Sequence, residues 1–307
     1  MDYILSHLRL KLKNQIMKKL RVAILGSGNI GTDLLIKVQR SELLECVLFV
    51  GRNLSSPGMA RAIAMGIKVS DESINGIVKN SDSVDLVFDA TSAKDAKAHW
   101  EILDKLGKIV IDMTPAKLGV FCIPAVNLEE VLEHRNVNMI TCGGQASIPI
   151  AHVIGKTQKN ADYIEVVSSI ASRSAGPATR LNLDEYIDTT ENGLKHFSKV
   201  AKTKAILNLN PADPCIDMQT TIFAQVENPD MDFLIREVDV MVKKIQQYVP
   251  GYSLIVPPIY ENGRIVIMVK AQGLGDYLPK YAGNLDIINC AAIAVAEQYS
   301  KKFNNIK

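Results

Sequence analysis

Five cysteines stand at positions 46, 122, 142, 215 and 290, and one of them sits where a thiol can react. Cys142 lies in the stretch MITCGGQASIP, where an apolar run stops and Gly143 and Gly144 free the backbone to turn. A structural cysteine belongs inside an apolar segment, whereas a cysteine at the end of one can face a crevice. A helix beginning after the two glycines would bring positive partial charge and N–H donors to a thiolate and to a tetrahedral oxyanion. Cys46 and Cys290 fall inside apolar strand or helix patterns and read as core. Cys122 and Cys215 lie near prolines in loops and are expected to be partly exposed. Among the histidines, His99 reads as a face of the helix before Trp100, His134 as a surface helix residue and His152 as part of the helix after Cys142. His196 is a fourth possible base, and none of the four stands out as a partner for the thiol. The cysteines form no CxxC pair and are odd in number, so neither a metal site nor a complete disulfide framework is expected, which fits a reducing cytoplasm.

The second constellation is Gly26-Ser27-Gly28-Asn29-Ile30-Gly31. It follows an apolar run suited to a buried parallel strand and precedes a helical pattern with Leu34, Leu35 and Val38 on one face. In this strand, turn and helix, Gly26 permits the tight turn, Gly28 lets the backbone approach a pyrophosphate, and Gly31 lets the helix lie close on the strand. A bound dinucleotide is therefore expected. About 20 positions beyond the glycines an acidic residue would select NAD. This chain has Arg52 and Asn53 there. Asn53 can still bond ribose hydroxyls, and Arg52 either accommodates a 2'-phosphate or stands as a solvated loop arginine, so NAD is preferred without excluding NADP. A thiolate beside a nicotinamide has one characteristic use. It attacks an aldehyde to give a thiohemiacetal, hydride transfer makes a thioester, and an acceptor takes the acyl group.

Several elements must bring these groups together. VDLVFDATSA, GKIVIDMTPA and NVNMITCGG each read as a strand ending in small or polar residues, and KDAKAHWEILDKLG between the first two reads as an amphipathic helix closed by Gly107. The alternation predicts a parallel sheet whose carboxyl ends gather Ala90-Thr91-Ser92, Thr114-Pro115 and Thr141-Cys142-Gly143-Gly144 around one crevice. From Ala161 the texture changes to β-rich segments with one strongly amphipathic helix, MDFLIREVDVMVKKIQQYVP, giving a second, α+β domain with a substantially antiparallel sheet. SRSAGPATR, residues 172–180, is either a ligand-facing polar loop or a plain turn. NPADP and YAGNLD are loop-like, and Asn284 is the carboxamide that could line a cleft. The division expected is an N-terminal extension over 1–16, with a short amphipathic helix as its rival reading. A dinucleotide-binding domain over 17–142 and a catalytic and dimerisation domain over 143–278 follow, and 279–307 forms a helix packing back on the first domain.

The 307 residues are 47% hydrophobic, enough for two domains with real cores. Lys and Arg total 35 against 33 Asp and Glu. That near-balance gives no electrostatic case for nucleic acid or a membrane surface, and no apolar run approaches the roughly 20 residues that span a bilayer.

Taken in order, LGSGNIGTDL, DATSA, IDMTPA, CIPAVNL, MITCGGQASIP, SRSAGPATR, LNPADP and GDYLPKYAGNLDI resemble the acylating acetaldehyde dehydrogenases over nearly the whole chain from Met17. The resemblance implies a fold like that of glyceraldehyde-3-phosphate and semialdehyde dehydrogenases, with a Rossmann-type parallel sheet domain and a second α+β domain for catalysis and dimerisation. It implies oxidation of acetaldehyde, or propanal, to the acyl-CoA with NAD and coenzyme A in the catabolism of aromatic compounds. It also implies a homodimer associated with a 4-hydroxy-2-oxovalerate aldolase that passes on the aldehyde through a tunnel. By matching motifs, Cys142 corresponds to the acyl-thioester cysteine and Ser27, Gly28, Asn29 and Ile30 to the glycine-loop contacts. Arg173, Ser174, Ala175, Gly176, Pro177, Ala178, Thr179, Arg180 and Leu181 correspond to a second cofactor-contacting stretch, and Asn284 to another contact. Two departures matter. Many members carry Gly-Ile-Asp where this chain has Gly51-Arg52-Asn53, and Met-Arg-Asp-Thr where it has Met218-Gln219-Thr220-Thr221, so the charge of that aspartate is missing here. Acyl transfer to phosphate, as in phosphorylating or semialdehyde dehydrogenases, is the alternative chemistry. A dinucleotide-binding redox sensor without turnover is the alternative class.

Overall fold

The computed structural model describes residues 18–304; the extension read over 1–16 lies outside the described residues. Seven strands form the first sheet: β1 (Leu20–Leu25), β2 (Leu44–Val50), β3 (Val69–Ser70), β4 (Leu86–Asp89), β5 (Ile109–Asp112), β6 (Val120–Phe121) and β7 (Asn136–Asn138). Their order is β3-β2-β1-β4-β5-β7-β6, and neighbours run parallel. In β1 the side chains of Val22, Ala23, Ile24 and Leu25 are all shut away from solvent, because helices cover both faces of such a sheet. Winding reverses at β1, which lies between β2 and β4, and a crevice opens beyond the carboxyl ends there.

The second sheet holds β8 (Ala161–Ala171), β9 (Lys202–Asn210), β10 (Met218–Val226), β11 (Tyr252–Glu261) and β12 (Arg264–Ala271) in the order β11-β12-β10-β8-β9. All its pairs are antiparallel except β8 with β9. Strand β8 alternates buried and half-buried residues, so one face is covered and the other is not. The covered face packs Ile164, Val166, Ile222 and Ile267 against the helices Cys142–Thr157 and Met231–Gln246. The second of these starts at Asp230, whose carboxylate accepts from Phe233 N, and turns Leu234, Val238, Met241 and Ile245 inward at helical spacing.

The helix Gly283–Phe303 belongs to both cores. Ile288, Ala291, Ala292, Val295 and Tyr299 pack with β1 and the helix Asn29–Arg40, while Ile287 and Cys290 pack with the second sheet. Among the described residues no helix is long and apolar enough to cross a membrane. Two sequence expectations need correction. Cys122 is fully buried: its N–H bonds to Asn138 O, continuing the segment alongside β7, and its side chain packs in the core of the first sheet. His134 is exposed but lies outside the helices.

Candidate active site

A cleft of about 1340 Å³ lies beyond the carboxyl ends of the first sheet. One end is built from backbone. Gly26 turns with φ of 118°, and a Cβ there would stand 2.4 Å from Ala90 O, so only glycine joins β1 to its helix beside β4. Ser27, Gly28, Asn29 and Ile30 line the cleft, and the helix Asn29–Arg40 points its N-terminus into it. A Cβ added at Gly28 would meet no atom within 4 Å, which leaves the space that a pyrophosphate needs beside free N–H groups. Asn284 and Thr114 also line the cleft, and the buried Asn284 Oδ1 and Thr114 Oγ1 lack a partner among the described residues. Open backbone at one point and unsatisfied polar atoms further along are what a dinucleotide would complete. Arg52 and Asn53 stand exposed at the rim, where Asn53 Oδ1 accepts from Ser55 N and Ser55 Oγ.

Asn284 is held against the glycine-loop helix by a buried ion cluster. Lys37 Nζ lies 2.7 Å from Asp33, 2.9 Å from Asp276 and 2.5 Å from Asp286, with every partner nearly solvent-free. Asn289 Nδ2 adds bonds to Ile30 O and Asp33 Oδ2 at 3.2 and 2.7 Å. Burial alone would depress the Lys37 pKa, but the surrounding carboxylates outweigh it and raise it. The cluster ties the two helices that carry Asn29 and Asn284.

The other end of the cleft holds Cys142. Three adjacent strands end in the same device, a side chain that accepts from the backbone N–H two residues on. Asp89 takes Thr91 N at 3.1 Å, Asp112 takes Thr114 N at 2.8 Å and Asn138 takes Ile140 N at 2.9 Å. The turns so fixed are those expected to gather in one crevice, and Thr91, Thr114 and Cys142 all line it. Asn138 also donates to Asp112 Oδ2 and Thr114 O, both at 2.9 Å. Burial first, and then the charge of Asp89, push Asp112 up to about 7. His99, read as a helix face, is buried with Nδ1 2.8 Å from Asp89 Oδ2. Burial would lower its pKa, but the bond and charge of Asp89 raise it.

The glycines beside the thiol do not make the turn. The helix begins at Cys142 itself, with Thr141 as N-cap accepting from Gly144 N at 2.8 Å. The left-handed residue is Ile140, with φ of 63°, a conformation that costs a β-branched side chain about 1–3 kcal/mol and is held by Asn138. Gly143 and Gly144 serve close packing instead. A Cβ at Gly143 would lie 2.1 Å from Tyr186 Oη, and one at Gly144 would lie 2.9 Å from Ile140.

Tyr186 is the residue that sequence reasoning missed. It belongs to the helix Leu183–Ser198, with Tyr186, Thr190 and Gly193 turned toward the start of the cysteine helix. Tyr186 Oη accepts from Gly143 N at 3.0 Å and stands 3.8 Å from Cys142 Sγ. Thr190 pairs with Thr141 at 2.7 Å. The spacing of Tyr186, Thr190, Leu194 and Phe197 was the signal for this helix, obscured by its many polar residues. Burial raises the pKa of Cys142, opposed by Tyr186 and by the N–H groups of Gly143 and Cys142 itself. Thr220, in place of the aspartate that the resemblance implies, is fully buried and shares a 2.9 Å bond with Ser168 Oγ.

The SRSAGPATR stretch is neither a loop nor a simple turn. It forms a 3-10 turn, Ser172–Ser174, and a short helix, Pro177–Leu181. Ser174, Gly176, Pro177, Thr179 and Leu181 line the cleft. Arg180 folds back onto Ser172 O and Ala175 O, Arg173 pairs with Asp213 in solvent, and Ala175 packs in the second core. The side chain of Ala178 lies outside the described residues.

Residues 142–279 match the family described as prokaryotic acetaldehyde dehydrogenase, dimerisation. Acetaldehyde dehydrogenase of Spirochaeta aurantia is 61% identical over 92% of this chain and 96% of its own, and that of Pectobacterium atrosepticum is 59% identical over the same shares. The chain belongs to the acetaldehyde dehydrogenase family. Residues 21–134 match the semialdehyde dehydrogenase NAD-binding domain. The fold is shared with a probable aspartate-semialdehyde dehydrogenase from Pseudomonas aeruginosa, with a TM-score of 0.64 at 12% identity over 93% of this chain and all of the other. It is shared also with the Candida albicans aspartate semialdehyde dehydrogenase, with a TM-score of 0.63 at 12% identity over 94% of this chain and all of the other.

Proposed function

We propose that this chain oxidises acetaldehyde to acetyl-CoA, with NAD as oxidant and coenzyme A as acyl acceptor, through a thioester on Cys142. The observation that carries the reading is the placement of Cys142 at a helix N-terminus on the wall of the cleft that the glycine loop also lines. Cys142 Sγ attacks the aldehyde carbon, forming the C–S bond of a thiohemiacetal, and the helix N-terminus favours the negative charge that develops. NAD, when bound, supplies the hydride acceptor that takes this adduct to a thioester. Ser27 to Ile30 and Asn284 would hold the cofactor, with Thr114 offering it a second unpartnered polar atom on the cleft wall. The cleft wall from Ser174 to Leu181 covers it. The sulfur of coenzyme A then attacks the acyl carbon, and Cys142 leaves as thiolate, ready for another cycle.

Asn53 stands where the adenine ribose is bound, beside Arg52, and NAD is the preferred cofactor without excluding NADP. Residues 17–142 carry the cofactor and, at their last position, the thiol; 143–278 supply the rest of the catalytic domain and the dimer contact, and 279–307 close back on the first domain. The half-exposed sheet face that includes Tyr163, Phe223, Val266 and Met268 supports a homodimer formed through β8, β10 and β12. A cytoplasmic enzyme supplied with aldehyde by a 4-hydroxy-2-oxovalerate aldolase, within catabolism of aromatic compounds, is consistent with the family. The test is NADH formation from acetaldehyde or propanal, with coenzyme A, with phosphate and with neither, and with NADP in place of NAD. Turnover that requires coenzyme A and is lost in Cys142→Ala, with NAD binding kept, is expected. Turnover in Cys142→Ala would overturn the reading, and transfer to phosphate would replace the acceptor.

A further inference from the structure

The reading of Cys142 as a nucleophile leaves open what holds its thiolate, and the inference here rests on that reading. Thr220 and Ser168 offer neutral hydroxyls bonded to each other. The side chain in contact with the sulfur is Tyr186, from 44 positions along the chain. We propose that Tyr186 is a catalytic residue of this site: its neutral phenol donates its O–H to Cys142 Sγ once the thiol has lost its proton.

The hydrogen bonds around it leave that proton for the sulfur. Tyr186 Oη accepts from Gly143 N, using one lone pair. Thr190 Oγ1 donates to Tyr186 O at 2.7 Å, so in the Thr141–Thr190 pair the proton between the hydroxyls comes from Thr141. Thr141 then gives its proton to Thr190 and accepts from Gly144, which leaves one neutral lone pair toward the phenol. A thiolate is the strongest acceptor in reach of the phenol, because a charge-assisted bond is about twice as strong as a neutral one. In the thiol form the same oxygen accepts the S–H, so the phenol rotates its proton without giving it up. The thiol proton leaves through the open cleft to solvent. Burial raises the Tyr186 pKa well above its ordinary value, which keeps the phenol a donor and disqualifies it as a base. Gly143 is explained by the same contact, since any side chain there would strike Tyr186 Oη. The polar groups around the start of the cysteine helix are uncharged: Tyr186 against Cys142, Thr190 on Thr141, and Ser168 beside Gly143 with Thr220 bonded to it. Titratable groups elsewhere on the cleft wall, Glu185, Lys94, Asp95, His99 and Lys117, are common to enzyme and variant and cancel in a difference.

The experiment is the pH dependence of iodoacetamide alkylation of the cofactor-free enzyme, with modification at Cys142 followed by peptide mass. In Tyr186→Phe the midpoint should rise by about one pH unit, so that alkylation near neutrality falls about tenfold, while NAD binding holds and the melting temperature falls only modestly, because Gly143 N loses its acceptor. Superimposable profiles would overturn the proposal. If the phenylalanine variant does not fold, 3-fluorotyrosine placed at position 186 keeps the packing and strengthens the donor. It should lower the midpoint, and an unchanged or raised midpoint would overturn the proposal. Alkylation needs no turnover. Failure here therefore leaves the acyl-transfer reading standing, while turnover in Cys142→Ala would remove that reading and leave the alkylation profile intact.

Discussion

The two ends of the cleft are made in different ways. At the glycine-loop end the backbone does the work: a turn with φ of 118°, a helix N-terminus and an open position at Gly28. At the thiol end the sulfur is placed by side chains, the nearby Asn138 tied to Asp112 of the next strand, and Tyr186 and Thr190 from a helix more than forty residues along. A phosphate-binding turn can be written in six consecutive residues, because phosphate recognition needs N–H groups and space, although the rest of the cofactor end draws on Asn284 and the Lys37 cluster. A reactive thiol needs polarity, burial and angle together, and no single segment supplies all three.

That difference can be tested by breaking each end separately. The largest effect is expected from Lys37→Met, which leaves Asp33, Asp276 and Asp286 buried without their cation. Removing one partner of a buried ion cluster costs about 3–5 kcal/mol. Denaturant unfolding should show that loss, and NAD affinity should fall as Asn284 loosens, while alkylation of Cys142 in the folded fraction stays near normal. A smaller and opposite pattern is expected from Asn138→Ala. Ile140 N loses its acceptor and the left-handed turn relaxes, so stability falls by about 1–3 kcal/mol. Misplacing the thiol by about 1 Å should lower kcat on the order of a hundredfold, with NAD affinity unchanged in titration. If Lys37→Met altered the thiol, or Asn138→Ala altered NAD affinity, the two ends would not be independent.

How much of this was legible in the sequence follows the same division. The parallel order, the glycine loop and the three strand ends were readable, because apolar runs and Gly, Asp and Asn carry local meaning. The Asx-like turns sit within DATSA, DMTPA and NMITC, each complete in itself. Cys142 was legible as a thiol at the entrance to a crevice, but the role of its glycines was not. Gly143 and Gly144 looked like a turn, and only the approach of Tyr186 and Ile140 shows them to be packing residues. Tyr186 itself was hidden because LDEYIDTTENGLKHFS is polar enough to pass for a connection, and its partner lies in another helix. His99 lies on a face of its helix as the periodicity predicts, but periodicity does not show the buried Asp89 behind it.

The proposed function stands or falls on Cys142 as the carrier of the acyl group. The direct measurement is intact-protein and peptide mass spectrometry after mixing the enzyme with acetaldehyde and NAD in the absence of coenzyme A. The predicted result is one acetyl group on Cys142, formed in step with NADH and removed on adding coenzyme A. NADH produced with Cys142 unmodified, or an acetyl group on the half-buried Cys215 instead, would contradict it.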